Sequence, residues 1–202
     1  LTGMTFSGNS AERHGGGMYL YHSSPTLTGM TFSGNSAERH GGGMCLSSNP
    51  NLNLNSSNPT LTDVIFSNNT ASSGGGMALI DSNPTLTGVT FSGNTAGVFG
   101  GGMYIGSSSP TLIDVIFSNN TASDGGGMWL YYSSPTLTGV AFSSNTASSG
   151  GGMSVEYSNP TLTDVIFNGN TATNTGGGMY LIDSNPTLTG VTFSNNTASS
   201  GG

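Results

Sequence analysis

Apolar positions along this chain recur in short alternating stretches set among hydroxyl-rich residues. In Met18-Tyr19-Leu20 and Met30-Thr31-Phe32 the first and third side chains share one face, which is the two-residue period of a strand. No stretch places its apolar residues at helical spacing. Triple glycines, prolines and β-branched residues between the stretches oppose helix further. The pattern predicts two or three short strands per repeat, separated by Gly, Pro, Asn and Ser.

The stretches belong to one repeated unit, approximately S-N-P-T-L-T-(G/D)-V-(T/I)-F-S-(G/N)-N-T-A, a turn, then G-G-G-M-Y-L. Its phenylalanines are Phe6, Phe32, Phe66, Phe91, Phe117, Phe142, Phe167 and Phe193. Each is followed three residues later by an asparagine: Asn9, Asn35, Asn69, Asn94, Asn120, Asn145, Asn170 and Asn196. Seven units carry Gly-Gly-Gly-Met, ending at Met18, Met44, Met77, Met103, Met128, Met153 and Met179, and the eighth stops at Gly201-Gly202. From Met to the next Phe the interval is 14 residues, except for 22 between Met44 and Phe66. From Phe to the next Met it is 11 or 12, and that variation falls in a stretch such as Glu12-Arg13-His14 or Ser72-Ser73. Such a stretch reads as an exposed turn, where length changes are tolerated. The constant block reads as strands locked by register, since a one-residue slip turns every inward side chain outward.

A unit of this length and composition describes one coil of an all-β parallel β-helix, a β-solenoid of about eight coils. Equivalent residues would stack roughly 4.8 Å apart, making a rod roughly 38 Å long. Columns of Leu, Val or Met, Phe, Ala and Met would fill the core. The asparagines would form an inward ladder, each amide bonding those above and below. Residues 1–202 read as one array, truncated at both ends, with an insertion loop at 47–58 around Asn51-Leu52-Asn53-Leu54-Asn55. Gly29, Asp63, Gly88, Asp114, Gly139, Asp164 and Gly190 alternate at one position, marking a turn that only such residues accept readily.

Composition narrows the function. Only 5% of residues are charged, the net charge is −7, and the only Lys or Arg residues are Arg13 and Arg39. Nucleic-acid binding is therefore excluded, because phosphate affinity comes from clustered Lys and Arg. No apolar run is long enough for a spanning helix, so no membrane insertion is expected in this segment. Leu, Ile, Val and Phe make up 39 of 202 residues, a level that on composition alone borders on disorder; the repeat overrides it.

The F-x-x-N element paired with a Gly-Gly tetrapeptide resembles the repeats of the polymorphic outer-membrane proteins of chlamydiae and of many bacterial surface proteins. The F-x-x-N half matches in all eight units, whereas G-G-G-M replaces the family's G-G-A-(I/L/V). The resemblance implies a right-handed β-helix adhesin passenger at the outer-membrane surface or outside the cell, often secreted through a C-terminal barrel that is not present in these residues.

Candidate chemistry is sparse. Asp63, Asp114 and Asp164 recur in alternate coils roughly 10 Å apart, near the spacing of inverting glycosidases. They are equivalent repeat positions without a second charge, and read as turn residues. His14 and His40 are copies of one turn, and His22 stands alone, so no nucleophilic triad assembles. Cys45 is the single cysteine, leaving no disulfide or zinc set, and it falls at an outward strand position. Seven stacked methionines read as core rather than a copper site. No cofactor is implied.

Two surface ladders remain. One is the residue after each Gly-Gly-Gly-Met: Tyr19, Cys45, Ala78, Tyr104, Trp129, Ser154 and Tyr180, which alternation points outward, with Tyr21, Tyr131, Tyr132 and Tyr157 nearby. Stacked aromatics stabilise a sheet by themselves; alternatively Tyr19, Tyr104, Trp129, Tyr131, Tyr132 and Tyr180 form a contact surface for a glycan or protein of a host or neighbouring cell. The other is Thr-Leu-Thr, from Thr26/Thr28 to Thr187/Thr189, which resembles the ladders of β-solenoid antifreeze proteins but suits any solvent-facing strand. The expectation is a non-catalytic structural and adhesive segment of a secreted or cell-surface bacterial protein. The alternative is a self-assembling extracellular filament of copies joined end to end through open strand edges. Polysaccharide-cleaving and ice-binding activities rank below these.

Overall fold

A computed structural model describes residues 1–49 and 56–202. The centre of the expected insertion, residues 50–55, lies outside the described residues. The chain winds into a parallel β-solenoid of seven complete coils and the start of an eighth, with no helix among the described residues. Each coil contributes to four columns of strands rather than two or three. The first column runs from Thr26–Thr28 to Thr187–Thr189 in seven strands, and the second from Thr5–Ser7 to Thr192–Ser194 in eight. A third, broken column includes Ser10–Ala11, Thr70–Ser73, Thr95–Phe99 and Thr171–Thr175. The fourth holds seven strands from Met18–Tyr21 to Met179–Ile182.

The third column was not foreseen. It arises because the stretch between Ala and the triple glycine keeps parallel pairing instead of looping out. The one-residue length difference is absorbed there as a register shift, with Ser73 pairing Phe99 and Ser149 pairing Thr175. In the other columns equivalent repeat positions pair, and in the core these are like residues: Phe91 with Phe66 and Phe117, Leu86 with Leu61 and Leu112, Met77 with Met44 and Met103. Pairing is also in register on both sides of residues 50–55, through Met44↔Met77 and Thr26↔Thr60.

The core is made of these columns. Leu86, Val89, Phe91, Met103 and Ile105 of one coil are fully buried, as are their equivalents above and below. Phe rings stack face to face at 4.7–5.0 Å along the whole array. Each fully buried Leu, Met or Phe stabilises the fold by roughly 1.5–3 kcal/mol, which offsets the low overall apolar content.

The asparagine ladder satisfies itself. Asn120 Oδ1 accepts from the backbone N–H and side-chain amide of Asn94, both at 3.0 Å. Its Nδ2 donates to Asn145 Oδ1 and to the Phe91 carbonyl, both at 3.0 Å. Asn35, Asn69, Asn94, Asn145 and Asn170 repeat the bridge to the next coil. A second polar ladder escaped sequence analysis. The backbone N–H groups of Ser82, Ser108, Ser133 and Ser158 donate to the hydroxyls of Ser108, Ser133, Ser158 and Ser184 in turn. Next to the insertion, Ser57 N–H donates to Ser48 Oγ at 2.7 Å, and Ser48 Oγ lies 3.3 Å from Ser82 Oγ, carrying the ladder across.

The triple glycine turns the coil into the fourth column. In 100–102 the first glycine sits at φ +64, a Cβ on Gly101 would strike the carbonyls of Gly126 and Thr121, and one on Gly102 would meet the Phe117 ring at 2.8 Å. Three different constraints thus demand glycine at three successive positions.

Candidate functional site

The tight glycine turn brings the residue before Gly-Gly-Gly back against the residue after Met. This determines what the outer face of the fourth column exposes. Alternation does point Tyr19, Cys45, Ala78, Tyr104, Trp129, Ser154 and Tyr180 away from the core, and they stack in register. The column is nevertheless largely covered. Cys45, Ala78 and Ser154 are buried, and Trp129 is only 5% exposed. The expectation of an exposed ladder is corrected at these positions. The cause is local: a residue facing out of one sheet column packs against the neighbouring column where the chain folds sharply.

Rings fill the resulting crease. Trp129 stacks on Phe99 at 4.2 Å, Tyr104 at 5.2 Å and Tyr131 at 5.4 Å. Tyr104 passes over the small Ala78 to reach His40 of the coil beyond, at 5.6 Å. His40 stacks on His14 at 5.2 Å, and His14 on Tyr19 at 5.8 Å. The Nδ1 atoms of His14 and His40 are buried without a hydrogen-bond partner. Burial, with Arg39 and the neighbouring His14 adding to it at His40, and Arg39 and Arg13 adding to it at His14, lowers both imidazoles below their usual 6.5. Cys45, beneath this strip, has its thiol pushed up to about 12 by burial and is inert at neutral pH.

The strip surfaces at coils five and six. Tyr132 is 58% and Tyr157 41% exposed, and their rings stack at 5.1 Å. Tyr131, half-buried on Trp129, meets Tyr132 edge-on at 4.4 Å. Its phenol is raised, first by desolvation and then by Tyr132, Glu156 and Tyr157 around it. Tyr132 and Tyr157 both hold φ +48, a left-handed conformation costing roughly 1–2 kcal/mol for a non-glycine residue. The same turn position elsewhere carries His22, Asp81, Ser107 and Asp183, small or polar except for the imidazole. Among the other predicted residues, Tyr19 is exposed and Tyr180 half-buried. Tyr157, passed over as a neighbour of the ladder, is the residue that completes the exposed pair.

The carboxylates are turn residues in the structure. Asp63, Asp114 and Asp164 all sit at φ +53, and Asp63 Oδ1 occupies the space that a Cβ on Gly88 would enter, 2.6 Å away. The Thr-Leu-Thr ladder stacks in register over seven coils with Ile113 interrupting it. Among the described residues, no group of three or more His, Cys, Asp or Glu side chains could hold one metal ion.

Residues 2–109 and 55–202 each match the family model described as right handed beta helix region. The chain belongs to the right-handed β-helix family. The two matches overlap and together span nearly the whole array, in keeping with a single uninterrupted repeat. Neither a curated protein nor a solved structure matches it. Right-handed β-helix proteins share an architecture that does not fix an activity, so function has to be argued from the outer surface.

Proposed function

We propose that this right-handed β-helix is a non-catalytic structural and adhesive segment of a secreted or cell-surface bacterial protein, of the kind built from the polymorphic outer-membrane repeats that its F-x-x-N units resemble. The observation that carries the reading is the exposed Tyr132/Tyr157 pair. Large aromatic rings held in solvent at an unfavourable backbone angle do nothing for the core, and exposed tyrosines are favoured contact residues. The rest of the outer face is hydroxyl-rich and almost uncharged, which suits a stalk presenting a local contact patch. Ser107 occupies the same turn position at φ +50, so serine is compatible with the fold there. Beads coated with the chain should adhere to target cells, and a Tyr132→Ser/Tyr157→Ser variant of unchanged thermal stability should adhere several-fold less. Equal adhesion by both would remove the tyrosine pair as the contact surface.

A further inference from the structure

Resting on that adhesive reading, we infer that the partner recognised at Tyr131, Tyr132 and Tyr157 is a basic polypeptide segment, whose arginine or lysine side chains stack on the rings and pair with Glu156 and Asp183. The first ground is charge. All cationic side chains lie within the first 40 residues; beyond His40 there is no Lys, Arg or His, whereas seven of the nine acids are found there. The carboxylates of this half therefore have no cation of their own to pair with, and their field attracts positive charge.

The second ground is where two of those acids stand. Glu156 ends the strand Met153–Glu156 immediately before Tyr157 and pairs in register with Tyr131. Asp183 takes the left-handed turn position of the following coil, directly in the column of Tyr132 and Tyr157. Tyr132, Tyr157 and Asp183 thus form three successive rungs, with Glu156 alongside. A tyrosine face carries negative π density and attracts guanidinium or ammonium groups. A guanidinium stacked on such a face keeps its edge free for a carboxylate, the fork geometry that distinguishes Arg from Lys.

The third ground is shape. Among the described residues no pocket opens on this face, and small ligands need enclosure to bind well. An open strip of rings and carboxylates running along the rod suits an extended chain that touches several coils, each contact weak by itself. An acidic glycan would be repelled by the same carboxylates, and a neutral glycan would make no use of them.

The test uses the whole chain and a fluorescein-labelled nona-arginine peptide, with a neutral Gly/Ser peptide and a neutral oligosaccharide as alternative probes, read by fluorescence polarisation. Binding of the arginine peptide alone is expected, weakening with salt as exposed ion pairs do. Tyr132→Ser/Tyr157→Ser should weaken it about fivefold or more, two exposed cation–π contacts' worth. Glu156→Gln should weaken it about threefold, in line with loss of one exposed ion pair. No binding of the peptide, or binding unaffected by the tyrosine substitutions, would overturn the inference, as would oligosaccharide binding that depends on the same tyrosines. The adhesion assay separates the two claims. Adhesion that nona-arginine fails to compete defeats the basic partner and leaves the adhesive reading standing. Peptide binding without cell adhesion does the reverse.

Discussion

Replacing Asn120 with Ala removes one rung of the buried amide ladder and tests what holds the coils in register. The side chain is fully buried. Loss of Oδ1 strips the acceptor from two donors of the coil before it, the backbone N–H and the side-chain amide of Asn94. The Asn94 amide keeps its bond to the Phe66 carbonyl, but its backbone N–H has no acceptor left among these. Loss of Nδ2 takes one bond from the Phe91 carbonyl and one from Asn145 Oδ1, which still accepts from the Asn120 backbone. A buried group left without a partner costs about 1–3 kcal/mol. One fully orphaned donor, further weakened partners and a small cavity together predict a loss of about 3–5 kcal/mol.

The neighbouring Asn119 provides the control. It sits at φ +56 on the surface, and glycine fills the same turn position at Gly34, Gly93 and Gly169. Asn119→Gly should change stability by no more than about 0.5 kcal/mol. Urea unfolding followed by far-UV circular dichroism gives both values. Coils interact chiefly with their neighbours, so Asn120→Ala should also lower the slope of the transition as coil five uncouples from the rest. A loss below about 1 kcal/mol, or a loss equal to that of Asn119→Gly, would refute the ladder as the source of stability and leave apolar stacking alone in that role.

Three further outcomes are expected. Trp129→Ala should cost about 2–4 kcal/mol by thermal melting, because the ring is packed between Phe99, Tyr104 and Tyr131 and its loss opens a cavity; a change under about 0.5 kcal/mol would show the crease to be loosely packed. The pH dependence follows from His14 and His40, whose folded imidazoles titrate below 6.5. As pH falls through 6.5 the unfolded chain binds protons that the fold resists, so stability declines on acidification, and His40→Gln should flatten the decline measured by melting temperature between neutral and mildly acidic buffer. Excising residues 85–110 joins Pro84 to Thr111, the register partner of Thr85, and should leave a shorter folded rod, whereas one alanine inserted between Leu86 and Phe91 should abolish cooperative melting.

Coil, core columns and asparagine ladder were all legible in the sequence because each depends on a residue type recurring at a fixed interval. Phe91, Asn94 and Met103 have to stack on their copies once the repeat is wound into coils. The covered crease was not legible. Alternation reports which side of a sheet Trp129 faces, but not that a neighbouring strand column folds over that side. The signal was present in a weak form: a solvent-facing aromatic ladder has no reason to admit Cys45, Ala78 and Ser154, and the bulky Phe99 stands next to the coil that carries Trp129. The serine ladder was missed because serine just before Asn-Pro or Ser-Pro reads as an ordinary turn residue. Only the close stacking of coils turns Ser108 and Ser133 into acceptors for the backbone of the coil before.

The same stacking explains why neighbouring coils are not free to choose their residues independently, and why the exceptions carry information. Asp63 Oδ1 fills the space over Gly88, and Asp114 Oδ1 that over Gly139, at 2.5 Å from where a Cβ would stand. An aspartate in one coil therefore packs over a glycine in the next, where a side chain would force the carboxylate to another rotamer, and successive aspartates would also set like charges one strand spacing apart. A two-coil alternation in that column is favoured by sterics and charge and needs no functional demand. The column of Tyr132 and Tyr157 obeys no such rule. Its other members are small or polar, or the imidazole of His22, and its backbone angle disfavours a ring; the two tyrosine rings stack on each other and meet Tyr131 edge-on without entering the core. Contacts among surface rings alone do not fix tyrosine at a position whose backbone angle is unfavourable and which serine fills at Ser107, so on the proposed adhesive reading this column is where the search for a partner starts.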